Sequence, residues 1–191
     1  MDKSSKEFLI KKIEINPKDI MAHGNLGNMH FNEERYEEAI EAYQKVIELD
    51  PEQVAAYNNL GNTYTKQEKY EEAIEAYQKV IELDPDETAT LYNLGNVHSE
   101  KERYEEAIEA YQKVIELDPE QVAAYNNLGN AYAKQGKYEE AIKVYQTAIE
   151  LNPGQVAEYS NLINAYKRTL QNQIRKRPFG FLRKLFSIFR K

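Results

Sequence analysis

The chain has 191 residues, of which 32 are acidic and 25 basic, for a net charge of −7, and it has no cysteine. Disulfides are therefore excluded, and no stretch approaches the roughly 18 apolar residues of a membrane-spanning helix. The charge is uneven: residues 159–191 hold nine of the basic residues and none of the acidic ones, so this segment carries +9 and residues 1–158 carry −16. An acidic body repels nucleic acid and anionic membrane at long range, while such a tail attracts both. The start, MDKSSKEFLIKK, lacks the apolar run of a secretory signal. The expectation is a cytoplasmic protein, with the tail deciding whether it is also peripheral to a membrane.

In chain order, Phe8, Leu9, Ile13 and Ile15 before Asn16-Pro17 read as a lone second helix, a half-repeat over residues 1–19. Prolines then recur at 51, 85, 119 and 153, each 34 residues after the last, and the 27-residue string Tyr36–Asn62 returns unchanged as Tyr104–Asn130. A fixed period of this length marks a stacked array in which no unit buries its apolar face alone. Four units follow, at 20–53, 54–87, 88–121 and 122–155. Within one of them, Tyr57, Leu60, Gly61 and Tyr64 lie at helical spacing between Val54 and about Gln67, and Asp50-Pro51 is expected to stop one helix and open the next. After the polar break Glu68-Lys69, a second helix carries Tyr70, Ala73, Ile74, Tyr77, Val80 and Ile81 to Leu83. Each unit is thus two antiparallel helices joined by a short turn.

Beyond Pro153, Tyr159, Leu162 and Tyr166 follow the first-helix pattern but Ile163 replaces glycine, so residues 156–177 are expected to form a capping helix running through Leu170 and Ile174. Residues 178–191 form the last predicted element, a basic amphipathic tail helix.

The small residues have a mechanical reason. Gly27, Gly61, Gly95 and Gly129 each cost about 1 kcal/mol against alanine in a helix interior, so their recurrence argues for close approach of the first helix to the second. Ala39, Ala73, Ala107 and Ala141 are expected to give the matching small surface. Tyr36, Tyr70, Tyr104 and Tyr138, then Tyr43, Tyr77, Tyr111 and Tyr145, fill the layer beside them.

The pattern carried by Tyr57, Leu60, Gly61, Tyr64, Tyr70, Ala73, Tyr77 and Pro85 resembles the tetratricopeptide repeat family, over about four fifths of the chain. The resemblance implies an all-α, right-handed α-solenoid of stacked antiparallel helix pairs whose first helices line a concave groove. Such proteins bind other proteins.

No catalytic constellation stands out, and no metal or cofactor is expected, so the chain reads as a non-enzymatic adaptor. His23 falls where the repeat places Tyr57 and Tyr125, and His30 and His98 where it places Tyr64 and Tyr132, so all three read as packing substitutes. Glu71-Glu72 and Glu105-Glu106 are adjacent on a helix and do not converge; they favour the positive end of the dipole. Gly129–Lys137 lacks the glycine spacing and the preceding strand of a phosphate loop.

Two rows of asparagine run through the first helices: Asn25, Asn59, Asn93, Asn127 and Asn161, then Asn28, Asn62, Asn96, Asn130 and Asn164. Each carboxamide offers a donor and an acceptor, and an extended peptide presents both at every residue. The alternative is that some of them only bond neighbouring helices. In the family variant that captures an acidic C-terminus, basic residues accompany the asparagines; the corresponding positions here are Ala55, Asn58, Ala89, Tyr92, Asn93, Ala123 and Asn127, none basic. Tyr92 alone among 15 tyrosines is off the packing stripe, and it is expected to project into the groove as an anchor.

On a helical wheel, Phe181, Leu182, Leu185, Phe186, Ile188 and Phe189 span about 160°, and Arg183, Lys184, Ser187, Arg190 and Lys191 fill the other side. Burying such groups at ~1.5–3 kcal/mol each, with basic residues against an anionic leaflet, suffices for reversible attachment. The partners expected are a protein or peptide in the groove, and an anionic membrane or a second protein at the tail. A competing class is a self-assembling scaffold, a homo-oligomer in which the basic tail docks on the acidic body of another copy. The acidic body disfavours nucleic acid.

Overall fold

The structure, a computed structural model, describes residues 3–155, 160, 162–164 and 166–171. These are helical throughout: α1 (Lys3–Ile15), α2 (Ile20–Asn32), α3 (Tyr36–Leu49), α4 (Val54–Lys66), α5 (Tyr70–Leu83), α6 (Thr88–Glu100), α7 (Tyr104–Leu117), α8 (Val122–Lys134) and α9 (Tyr138–Leu151), then a 3-10 turn at Pro153–Gln155. Residues 160, 162–164 and 166–171 are also helical; Tyr159 and Ile174 lie outside the described residues. The chain divides into two compact units, Met1–Pro119 and Glu120–Lys191. In the first, α1 packs on α2, the pairs α2/α3, α4/α5 and α6/α7 pack internally, and α3 packs on α4 and α5 on α6. The first helices also meet one another, α2 with α4 and α4 with α6. In the second unit α8 pairs with α9.

Two kinds of turn build this. After each first helix the chain closes a Schellman motif: Arg35 N–H donates to His30 C=O at 2.9 Å and Glu34 N–H to Phe31 C=O at 3.0 Å, and the same pair of bonds follows α4, α6 and α8. The residue at the bend is left-handed, Glu34, Glu68 and Glu102 at φ 60°, 58° and 56°, and Gly136 at 76°. After the second helices α3 and α5 the turn is an Asx turn. Asp50, before Pro51, is held extended, and its Oδ1 accepts the Glu52 N–H at 3.2 Å. Pro51 therefore lies in the loop and does not open the next helix, which starts at Val54. Its fixed φ serves the turn instead.

The packing of each pair rests on one ring. Tyr43, Tyr77, Tyr111 and Tyr145 are buried to 2% exposure or less, and burying a ring of this size stabilises by about 2 kcal/mol. A Cβ on Gly27, Gly61, Gly95 or Gly129 would lie 2.5–2.6 Å from a ring carbon of that tyrosine. The glycines thus make room for a tyrosine ring on the second helix, whereas the sequence suggested that they face the alanines. Those alanines, Ala39, Ala73, Ala107 and Ala141, are fully buried beside the rings. In the first unit Ala39, Ile40 and Tyr43 pack with Leu60 and Ala76 of the next helix pair. In the second, Ile163 stands at the glycine position, and it is buried against Ala141, Tyr145 and Ala148. Tyr166 stacks on Tyr138, with centroids 5.2 Å apart.

Candidate functional site

The buried tyrosines reach through the pair to the asparagine rows. Tyr43 Oη donates to Asn28 Oδ1 at 2.8 Å, Tyr77 to Asn62 at 2.7 Å, Tyr111 to Asn96 at 2.8 Å and Tyr145 to Asn130 at 2.6 Å. In the first unit a second donor arrives from the next repeat: Asn59 Nδ2 bonds Asn28 Oδ1, and Asn93 Nδ2 bonds Asn62 Oδ1, both at 3.1 Å. A carboxamide oxygen has two lone pairs, so those of Asn28 and Asn62 are fully used. The alternative that some of these amides bond neighbouring helices applies to the Asn28–Asn59 and Asn62–Asn93 pairs. Among the described residues, Asn28 and Asn62 keep the Nδ2 donors and Asn59 and Asn93 keep the Oδ1 acceptors outside these bonds. The internal bonds fix the orientation of what is left. Burial pushes the Tyr43 hydroxyl up to about 12 and also raises that of Tyr77, so both remain protonated donors across the neutral range.

Pockets open around these amides in the first unit. Asn28 borders three pockets: one of about 240 Å³ with Phe31, Asn32, Asn59 and Asn62, one of about 180 Å³ with Asn25, Ala55 and Asn59, and one of about 620 Å³ with Phe8, Leu9, Asn25 and Met29. Asn25 is exposed; Asn93 and Asn96 are half-buried on α6. In the second unit Asn127 is half-buried and Asn130 and Asn164 are exposed, while Asn161 lies outside the described residues. The pockets and the tyrosine-held oxygens were not read from the sequence. Their only trace there was the constant 15-residue step from each asparagine to its tyrosine.

Tyr92 does not stand out as an exposed anchor. It is half-buried, its ring 5.9 Å from that of Tyr111 at 56°, so its bulk supports the Tyr111–Asn96 pair. The tail residues Phe181, Leu182, Arg183, Lys184, Leu185, Phe186, Ile188, Phe189, Arg190 and Lys191 lie outside the described residues.

His23, His30 and His98 are buried at the tyrosine positions, with 9%, 7% and 8% of their surface exposed. His23 Nε2–H donates to the Pro17 carbonyl at 3.0 Å. His30 and His98 each bury an Nδ1 that has no partner among the described residues. Loss of hydration lowers both their pKa values, with Lys6 and Arg35 adding to the effect at His30 and Arg103 at His98, against partial compensation from nearby glutamates. Among the described residues no three His, Asp or Glu side chains are grouped to hold a metal ion. Glu71, one of the adjacent acid pairs, bridges successive repeats: Arg103 donates to it at 2.7 and 3.2 Å, and Lys101 lies at 2.8 Å. Hydrogen bonds from Lys101 and Arg103 lower its pKa. With half its side chain in water, that cluster contributes little stability.

A face of neutral amides, carried on stacked helix pairs, defines an α-solenoid with an interaction surface. Family models of the tetratricopeptide repeat match residues 27–67, 52–120 and 92–156, and the chain belongs to that family. It is a protein-interaction scaffold. No curated protein matches it. Among solved structures, a crystal structure of MamA superposes with a TM-score of 0.75 at 28% identity, covering 80% of this chain and 89% of that one. A second crystal structure of MamA protein gives 0.74 at 29% identity over 81% and 84%. MamA 41-end from Desulfovibrio magneticus RS-1 gives 0.73 at 25% identity over 78% and 85%.

Proposed function

We propose that this chain is an adaptor that grips the backbone of an extended peptide along the asparagine-lined face of α2, α4 and α6. The observation that carries this reading is the division of labour within each asparagine pair. One oxygen is saturated by Tyr43 and Asn59, or by Tyr77 and Asn93, and the remaining Nδ2 donors and Oδ1 acceptors are held in alternation. A backbone N–H and C=O have the complementary chemistry. Pre-orientation supports affinity, because the amide rotamers are already fixed before the ligand arrives. The pockets bordered by Asn28 supply room for side chains. Among the described residues, the lining carries no charge in the two pockets shared by Asn25 and Asn28, which favours an uncharged stretch of peptide over an acidic or basic one. The basic amphipathic sequence Phe181–Lys191 gives the adaptor a second point of attachment, to an anionic membrane or another protein.

Asn25 is the discriminating position, since it is exposed and its side chain makes no hydrogen bond among the described residues. The test is selection from a displayed library of random peptides, followed by titration of the winners into ¹⁵N-labelled protein. Shifts at the side-chain amides of Asn25, Asn59 and Asn62, lost affinity in Asn25→Ala, and an unchanged melting curve are expected. Shifts confined to α3 and α5, or no selected peptide, would remove the reading.

A further inference from the structure

A second cleft, of about 640 Å³, opens between α1 and α3 in the first unit, away from the asparagine rows. Its floor is Ile10, Ile13 and Leu26 with Ala42, and His23 and His30 line it. One repeat later their positions belong to Tyr57 and Tyr64, and that of Lys6 to Ile40. Tyr64 there packs against the cores on both sides. The smaller imidazoles and the polar Lys6 leave unfilled what the tyrosines and isoleucine fill, and Ile10 remains 40% exposed.

The charges around the cleft are unequal. Its cations are already engaged: Lys6 with Glu33 at 3.5 Å, Arg35 with Glu38, and Lys45 with Glu48 at 2.8 Å. Glu14 and Glu41, both exposed on the lining, make no ion pair among the described residues. An apolar floor edged by two spare carboxylates calls for an apolar segment flanked by basic groups. Residues 181–191 carry that pattern, with Phe181, Leu182, Leu185, Phe186, Ile188 and Phe189 interleaved with Arg183, Lys184, Arg190 and Lys191.

We propose that the α1/α3 cleft receives the C-terminal segment Phe181–Lys191 of a second copy of this chain. The inference is independent of the peptide reading of the asparagine face. The apolar side chains of the segment cover Ile10, Ile13 and Leu26, and its basic residues meet Glu14 and Glu41. Opposite net charges of body and tail draw two copies together at low ionic strength, and apolar burial holds them once docked.

The test uses the full chain with a benzophenone amino acid at Phe186, as an equal mixture of natural-abundance and ¹⁵N-labelled copies. Illumination is expected to join position 186 of one copy to Ile10, Ile13 or Leu26 of another. The yield should fall in Ile10→Glu, a change at a partly exposed site, and the doubly exchanged Glu14→Lys, Glu41→Lys chain should associate roughly tenfold more weakly. Crosslinks within single copies only, crosslinks to the asparagine face, crosslinks that need anionic phosphatidylserine vesicles, or no crosslinks at all would each overturn it.

Discussion

Replacing Gly61 by alanine tests the packing on which the asparagine face depends. The new Cβ would sit 2.5 Å from Tyr77 Cε1 and 2.7 Å from Cδ1, and 3.0 Å from Cζ. Tyr77 is 1% exposed and cannot step aside into solvent. Forcing a methyl into such a contact costs about 1–3 kcal/mol. If the ring shifts, its 2.7 Å bond to Asn62 is lost as well, at about 1 kcal/mol. Against this, alanine is better than glycine in a helix by about 1 kcal/mol. The net is a destabilisation of roughly 1–3 kcal/mol, or about 4–8 °C in melting temperature for a mid-range value of ~2. Gly24 is the internal control, also inside a first helix, because a Cβ there would lie 3.9 Å from Val46, an ordinary contact. There the helix preference wins, and Gly24→Ala should stabilise by about 0.5–1 kcal/mol. The assay is thermal melting by circular dichroism, with hydrogen exchange of the Asn62 and Tyr77 amides to locate the loss. Opposite signs are expected. A Gly61→Ala chain that melts at or above the parent would refute the claim that the glycine exists to admit the ring.

Other outcomes follow from the same geometry. Glu68 sits at φ 58°, so Glu68→Gly should raise stability by about 0.5–1 kcal/mol in chemical denaturation, and Gly136→Glu should lower it by a similar amount. His98 is neutral when buried, and its lowered pKa means that the unfolded chain binds more protons in acid. Its contribution is complete above about 6.5 and is lost as pH falls toward the folded value. The melting temperature should therefore drop less between pH 7.5 and 5.5 in His98→Tyr than in the parent, and parallel curves would contradict this. At the alkaline end, the Tyr43 pKa of about 12 predicts stability that is intact below pH ~10 and declines as pH rises above it, with late tyrosinate absorbance at 295 nm. Tyr77→Phe removes the donor to Asn62 and should cost about 1 kcal/mol; in titrations with a selected peptide it should also weaken binding, since Asn93 then shares a less firmly held partner.

The 34-residue step of proline and the helical spacing of Tyr57, Leu60, Gly61 and Tyr64 were enough to draw the helix pairs, because helix formation and turn chemistry depend on residues a few positions apart. The role of Pro51 was legible only in part: its presence marks the loop, but the extended Asp50 and its Asx bond decide that the next helix waits until Val54. Tyr92 stood out in the sequence as an oddity, but its half-burial against Tyr111 was not legible there, since that ring belongs to the following helix.

The sequence by itself determined the period, the helix pairs, the family and the rows of asparagine. Only the tertiary structure decided which amide atoms remain free, because Asn28 meets Tyr43 and Asn59 from 15 and 31 residues away. It alone also showed that imidazoles at tyrosine positions leave a cleft between α1 and α3. Hydrogen-bond saturation and unfilled volume belong to groups brought together by packing, and no local pattern in a chain encodes either until the helices have met.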